Sequence, residues 1–327
     1  GWDAFRAEES RILESLLTQC SVGHVIALGG GVIESAASRA LLARFREHVG
    51  PVVHIVRDFA LIESFLATSD RPAYGEPLAD VYARRLPLYA ESSCMEAVNT
   101  GNDAALALSR QLRTPLGTPV PISPAFFLSL TFSRVQDAWS ILDHASAGVD
   151  VLELRVDLLH ADGQPSIDDV REQVALLRQY TSLPILYTVR SVSQGGRLPD
   201  EANEAYFALT RLGLRMGCEY VDIELTRPSD GIEELAQAKG QTRIVASFHD
   251  TSGTMHWMAP AMRRLYTRAC VLGDIAKLVG FARTWQDSLD LESFRTRVAQ
   301  EAPFPLIAIN MQAAGQLSRI VNPLLTP

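Results

Sequence analysis

From residue 126 onward the chain alternates short apolar runs with stretches of helical period. The runs occupy 126–132 (FFLSLTF), 149–159 (VDVLELRVDLL), 183–190 (LPILYTVR), 218–225 (CEYVDIEL), 242–250 (TRIVASFHD), 274–280 (DIAKLVG) and 304–311 (FPLIAINM). Val, Ile and Leu dominate them, as in strands of a parallel sheet covered on both faces. Between them, VREQVALLRQY and DSLDLESFRTRVAQEA place apolar residues three and four apart, the stripe of an amphipathic helix. Seven strand–helix repeats over about 200 residues predict a (β/α)8 TIM barrel, with a doubly wound sheet as the alternative. The count is one short. GQLSRIVN and PLLTP close the sequence: an eighth strand is expected to begin at LLTP without its partner helix, so the barrel is expected to lack a complete last unit.

The first part is also α/β. WDAFRAEESRILESLLTQ and SRALLARFREHV are helical in period, whereas GHVIALGGGV and GPVVHIVRD read as two buried strands. The stretch RTPLGTPVPISP, residues 113–124, is proline-rich and aperiodic, which suits a semi-rigid connector. The expected organisation is therefore a first domain at 1–112, a linker at 113–122 and a barrel domain at 123–327.

Composition narrows the function. Of 327 residues 47% are hydrophobic and 21% charged, the net charge is -8 and no basic run exists, which argues against nucleic acid. No apolar run reaches the roughly 20 residues that span a bilayer, and no charged-then-apolar leader opens the sequence. Cys20, Cys94, Cys218 and Cys270 are scattered without metal-ligand spacing, as in a reducing compartment, so no metal site and a cytoplasmic location are expected.

The cations carry more information. Of the 30 basic residues 28 are Arg, and the two Lys are Lys239 and Lys277. Lys277 stands in the apolar run GDIAKLVG. Burial disfavours an ammonium, and a neutral amine attacks ketones, which a guanidinium cannot do. A buried Lys paired to Glu153 or Asp157 is the plainer alternative. Glu153, Arg155 and Asp157 fall at alternate positions and so on one side of a strand, either in the barrel mouth or as an internal ion-pair cluster. Arg190 closes the third run, and Gln194 precedes a Gly195–Gly196 turn. His249 ends the fifth, as a base or as a core histidine, and Arg319 follows the seventh. Arginines recognise carboxylates through paired hydrogen bonds. With an amine and an imidazole they describe Schiff-base elimination or aldol chemistry on a keto acid.

The blocks ELRVDLL, TVRSVSQGGRLPD, SFHDTSG, GDIAKLVG and INMQAAGQLSR, in this order across 123–327, resemble type I 3-dehydroquinate dehydratase. The resemblance implies that Lys277 forms an imine with the substrate ketone and His249 acts as general acid and base, without a cofactor. Glu153, Arg155, Arg190, Gln194 and Arg319 would bind 3-dehydroquinate, Gln194 replacing a Glu of many bacterial members. FRAEE, LGGGV and RRLPLY resemble the latter part of shikimate kinase, a P-loop-kinase-like α/β domain. They imply shikimate-binding roles for Arg6, Gly29, Gly30, Gly31 and Arg85, and Arg71 in RPAY resembles the nucleotide-lid arginine. A complete kinase uses ATP and Mg; the GxxxxGK[ST] loop is absent from this sequence, so kinase activity is not expected of it. A lid loop of the APGQ type is absent too. This domain order resembles the fungal AROM pentafunctional polypeptides, which implies a homodimer within a longer multifunctional chain. The related quinate repressor, a metabolite sensor without turnover, is the alternative.

Overall fold

The computed structural model describes residues 1–20, 23–69, 75–101, 103–113, 125–160, 163–324 and 326. Arg71 and residues 114–122 of the expected linker lie outside them. Contacts divide the chain into two units, Gly1–Ala104 and Ala105–Pro327.

In the second unit all seven apolar runs are strands: β3 (Phe127–Leu130), β4 (Val151–Arg155), β5 (Ile185–Thr188), β6 (Tyr220–Glu224), β7 (Arg243–His249), β8 (Ile275–Phe281) and β9 (Leu306–Met311). They pair in parallel in chain order without a crossover. A doubly wound sheet would reverse its order midway; this one does not. Main-chain bonds from Thr326 to Ala125 (2.8 Å) and from Phe127 to Thr326 (2.9 Å) form a parallel bridge at Phe126–Thr326. Thr326 thus lies beside the start of β3.

Each strand from β3 to β8 is followed by a helix, the longest being Ile167–Tyr180 and Trp285–Glu301. Helix Ile167–Tyr180 starts where Ser166 and Asp169 form a reciprocal capping box. It buries Val170, Val174 and Leu177, the three- and four-residue spacing of one helical face. Outside the barrel wall, Tyr266, Leu291, Phe294 and Val298 pack with Ala276, Leu278 and Ala308 of β8 and β9.

Inside the barrel Phe127, Val151, Leu186, Tyr220, Val245, Ile275 and Ile307, one from each strand, form a buried floor closed by Ala125 and Leu324. Strand side chains alternate between faces, so residues two further along each strand also face inward, nearer the carboxyl ends. Those positions are Ser129, Glu153, Thr188, Asp222, Ser247, Lys277 and Ile309. The site is the layer above the floor. Gly280 of β8 faces the wall, where an added Cβ would lie 2.6 Å from Asn310 Oδ1 and 2.8 Å from Trp257 Nε1. Those two groups hydrogen-bond each other at 2.7 Å.

The first unit holds a two-stranded parallel sheet, β1 (Val53–Val56) with β2 (Met95–Val98). Its helices are Trp2–Gln19, Ala36–His48, Phe59–Ala67 and Leu78–Ser92. Leu13, Val32, Ile33 and Leu42 make its small core. Two expectations are corrected. GHVIALG forms no strand: it has no pairing neighbour among the described residues, and Val25 is 99% exposed. Strand β1 is not buried either, with Ile55 exposed.

Candidate active site

Lys277, at the third position of β8, is 3% exposed. Its Nζ lies 3.2 Å from Asp222 Oδ2 and 3.5 Å from Glu153 Oε1, and 5.3 Å from the centre of the Phe127 ring. The lysine is ion-paired with Glu153 and lies inside the barrel. Asp222, not Asp157, is its second partner.

Glu153 also accepts from Thr188 Oγ1 at 2.8 Å and from Ser129. Burial works against its charge. The Lys277 ammonium and the Ser129 hydroxyl outweigh that and hold its carboxyl below the usual range. Asp222 is held still more firmly: burial opposes ionisation, but Arg190 and Lys277 both favour the anion and depress its pKa strongly.

Arg190, two residues past β5, is 3% exposed and donates to Asp222 Oδ2 (2.7 Å), Ser247 Oγ (2.8 Å) and Glu224 Oε1 (3.4 Å). Asp222 and Glu224 overcome burial and raise its pKa. Glu224 additionally accepts from the Ser191 main chain at 2.8 Å and from Arg227 Nε at 3.2 Å.

His249 closes β7. Ser247 pairs with Lys277 in register, so His249, two residues on, shares that inward face nearer the mouth. Its imidazole pKa is pushed well below the ordinary value, first by burial and then by the Arg190 and Lys277 cations. The ring is therefore neutral near pH 7, and Nδ1 is buried without a hydrogen-bond partner among the described residues. Gln194 Oε1 accepts the His249 main-chain N–H at 2.7 Å, so it fixes the backbone and leaves the ring alone. Gly195, with φ +84°, makes the turn that brings Gln194 in. The next residue, Asp250, ties the following loop: its carboxylate accepts from Ser252 Oγ (2.7 Å) and the main chains of Gly253 (3.0 Å) and Met255 (2.8 Å).

At the end of β4 the placement of Asp157 is corrected. Strand β4 ends at Arg155 and 156–158 form a 3-10 turn, so Asp157 is no longer at an alternating strand position. The turn instead lets Asp157 clasp Arg155 through two bonds of 2.9 and 2.8 Å. Arg319 lies on the short helix Leu317–Val321, half-buried, with no side-chain ion-pair partner among the described residues.

Three buried groups were missed: Asp222, Glu224 and Ser247. In "CEYVDIEL" the two acids sit at alternate positions of an apolar run, the same signal that singled out Glu153 and Arg155.

In the first unit Arg6, Gly29–Gly31 and Arg85 do converge. The two arginines share Glu34, at the end of a 3-10 turn that starts right after Gly31. Glu34 accepts from Arg84 (2.7 Å), Arg6 (2.9 Å) and Arg85 (3.0 Å). Burial opposes its ionisation, yet Arg85 and Arg84 bring its pKa down to about 2. Tyr89 donates to the Gly30 carbonyl at 2.6 Å.

A parallel barrel with a buried lysine and a neutral imidazole on neighbouring strands defines a class of interior-lysine α/β barrels. Residues 126–327 match the family model for type I 3-dehydroquinase, and the chain belongs to that family. Residues 1–113 match the model for shikimate kinase. A pentafunctional AROM polypeptide of Mycosarcoma maydis is 41% identical over an alignment covering 100% of this chain and 22% of the relative. The chain therefore spans about a fifth of that relative. Among solved structures, the dehydroquinate dehydratase and shikimate dehydrogenase of S. pombe AroM has 41% identity and a TM-score of 0.61, covering 63% of this chain and 40% of that one. A type I 3-dehydroquinate dehydratase from Clostridium difficile, with covalently modified comenic acid, has 23% identity and a TM-score of 0.56, covering 63% and 84%. At that identity it speaks for the barrel fold alone.

Proposed function

We propose that the barrel dehydrates 3-dehydroquinate to 3-dehydroshikimate through an imine on Lys277. The supporting observation is a buried primary amine one strand from an imidazole held neutral. The Lys277 nitrogen adds to the C3 carbonyl carbon, and the carbonyl oxygen leaves as water. His249 takes the C2 proton, and the electron pair moves toward the iminium nitrogen. Expulsion of the C1 hydroxyl, which His249 protonates, then completes elimination, and hydrolysis frees the amine and the product. The two ammonium protons lost from nitrogen leave with the carbonyl oxygen as water, while Asp222 and Glu153 hold the amine in place and balance the iminium charge. Arg155, Arg190, Gln194 and Arg319 complete the pocket, with Arg319 as the arginine available to a substrate carboxylate. No observation favours a sensor without turnover.

Borohydride added with 3-dehydroquinate should leave a reduced adduct on Lys277 by mass spectrometry, absent in Lys277→Met. An adduct at another residue, or turnover retained by Lys277→Met, overturns the mechanism.

For the first unit we propose a shikimate carboxylate site at Arg6, Gly29–Gly31, Arg84 and Arg85. No phosphoryl step is assigned to these residues. Among the described residues no helix is long and apolar enough to cross a membrane. A cytoplasmic homodimer within a longer chain is part of the same proposal, resting on the resemblance to AROM polypeptides. Sedimentation equilibrium tests the dimer.

A further inference from the structure

The arginine cluster of the first unit is already neutralised from within. Arg6 binds Glu9 at 2.6 Å and Glu34 at 2.9 Å. Arg84 binds Glu34 at 2.7 Å and also pairs with Glu76, while Arg85 binds Glu34 at 3.0 Å. Among the described residues these three guanidinium groups thus face three carboxylates, and an arriving anion meets cations that are already paired. Glu9 and Glu76 each serve one arginine. Glu34 serves all three.

The cluster also lies against the glycine segment. An added Cβ at Gly31 would fall 2.1 Å from Arg6 Nη2, so residue 31 carries no side chain because the guanidinium fills that space. A second carboxylate added beside Glu34 would stand next to a like charge in a partly buried setting, which costs free energy. A carboxylate that replaced Glu34 would instead inherit its three guanidinium donors, since Arg offers several N–H groups in a planar fork. Glu34 side-chain exposure is 21%, enough for an aqueous route for exchange.

We propose that Glu34 is a built-in carboxylate ligand of the Arg6–Arg84–Arg85 cluster, and that a small hydroxylated monocarboxylate binds there by exchanging with it. This deepens the carboxylate-site reading given for the first unit and rests on it. Exchange makes the site selective for charge: a neutral ligand of the same shape has nothing with which to replace Glu34. It also makes the resident acid a brake on affinity, because every bound guest has first to break its ion pairs.

The test titrates the full chain with shikimate and with shikimate methyl ester, by calorimetry. In Glu34→Gln, shikimate should bind about tenfold more tightly than in the wild type, equivalent to about 1.4 kcal/mol, with binding of the ester unchanged. Glu34→Asp, which keeps the charge, should show no such gain. Equal or weaker shikimate binding by Glu34→Gln identifies Glu34 as an organiser of the arginines and overturns exchange. The same gain for the ester overturns it too. If neither protein binds shikimate, the carboxylate-site reading fails and exchange falls with it. Should Glu34→Gln fail to fold, the wild-type Arg85 Nε–H resonance decides. It should shift on saturation with shikimate and not with the ester, and an unmoved resonance refutes the proposal.

Discussion

Asp222→Asn is the most demanding perturbation of the barrel interior. Asp222 is fully buried and joins three groups: Arg190 at 2.7 Å, Ser247 at 2.5 Å and Lys277 at 3.2 Å. The amide keeps the shape and one acceptor but removes the charge, leaving Arg190 and Lys277 as buried cations that share Glu153 and Glu224. Breaking a buried pair by deleting one partner costs about 3–5 kcal/mol, and the retained acceptor places this variant near the lower end. With a urea m-value of about 3 kcal/mol/M, a loss of about 3 kcal/mol lowers the midpoint by roughly 1 M. Urea unfolding followed by tryptophan fluorescence reads this. A cycle with Lys277→Met separates direct coupling from general damage, because removing the amine relieves part of the stranded charge. The folded pKa of Asp222 is depressed, so its contribution is fully present above the unfolded value of about 3.9 and is lost as pH falls through the folded one. A midpoint within 0.2 M of wild type, or strict additivity in the cycle, refutes the view that Asp222 neutralises both cations.

His249 carries linkage of the same sign at a higher pH. Its folded pKa is lowered, so below about pH 6.5 the unfolded chain takes up a proton that the folded one refuses, and stability falls as pH drops. His249→Asn should flatten the stability profile between pH 7.5 and pH 5 while abolishing dehydration; an unchanged slope refutes the neutral ring. Gly280→Ala should cost about 1–3 kcal/mol in thermal or urea unfolding, because its Cβ would press on the Trp257–Asn310 bond. A stability equal to wild type would mean that this wall is looser than its contacts indicate. Gln194→Ala should leave the His249 main-chain N–H without its 2.7 Å acceptor and lower kcat with little change in KM; an unaltered kcat would show that the strand positions the ring without help.

The barrel was legible because buried parallel strands announce themselves by unbroken Val, Ile and Leu runs, and all seven lie where those runs are. Lys277 was legible for the same reason, as the one charge between the aliphatic residues of its own run, Ile275 to Val279. The identity of its partners was not. Asp157 follows Glu153 and Arg155 at the strand period, yet the chain turns at Val156, and no local signal tells a strand that continues from one that stops. Asp222 carried the same alternation signal and was missed, and its place beside Lys277 depends on the stagger of strands 55 residues apart in the chain. GHVIALG shows the converse limit: an apolar run forms a strand only when another strand supplies its hydrogen bonds. Glu34 had no sequence signal at all, because its partners come from two helices distant in the chain.

The carboxylate of Asp250 holds Ser252, Gly253 and Met255 as spokes on one hub, immediately beyond His249. A segment fastened in that way behaves as a stiff collar: its amides would open to deuterium together, in one event, or stay closed together. Any flap that admits and retains a guest must then belong to another part of the rim, while this part keeps the imidazole on station.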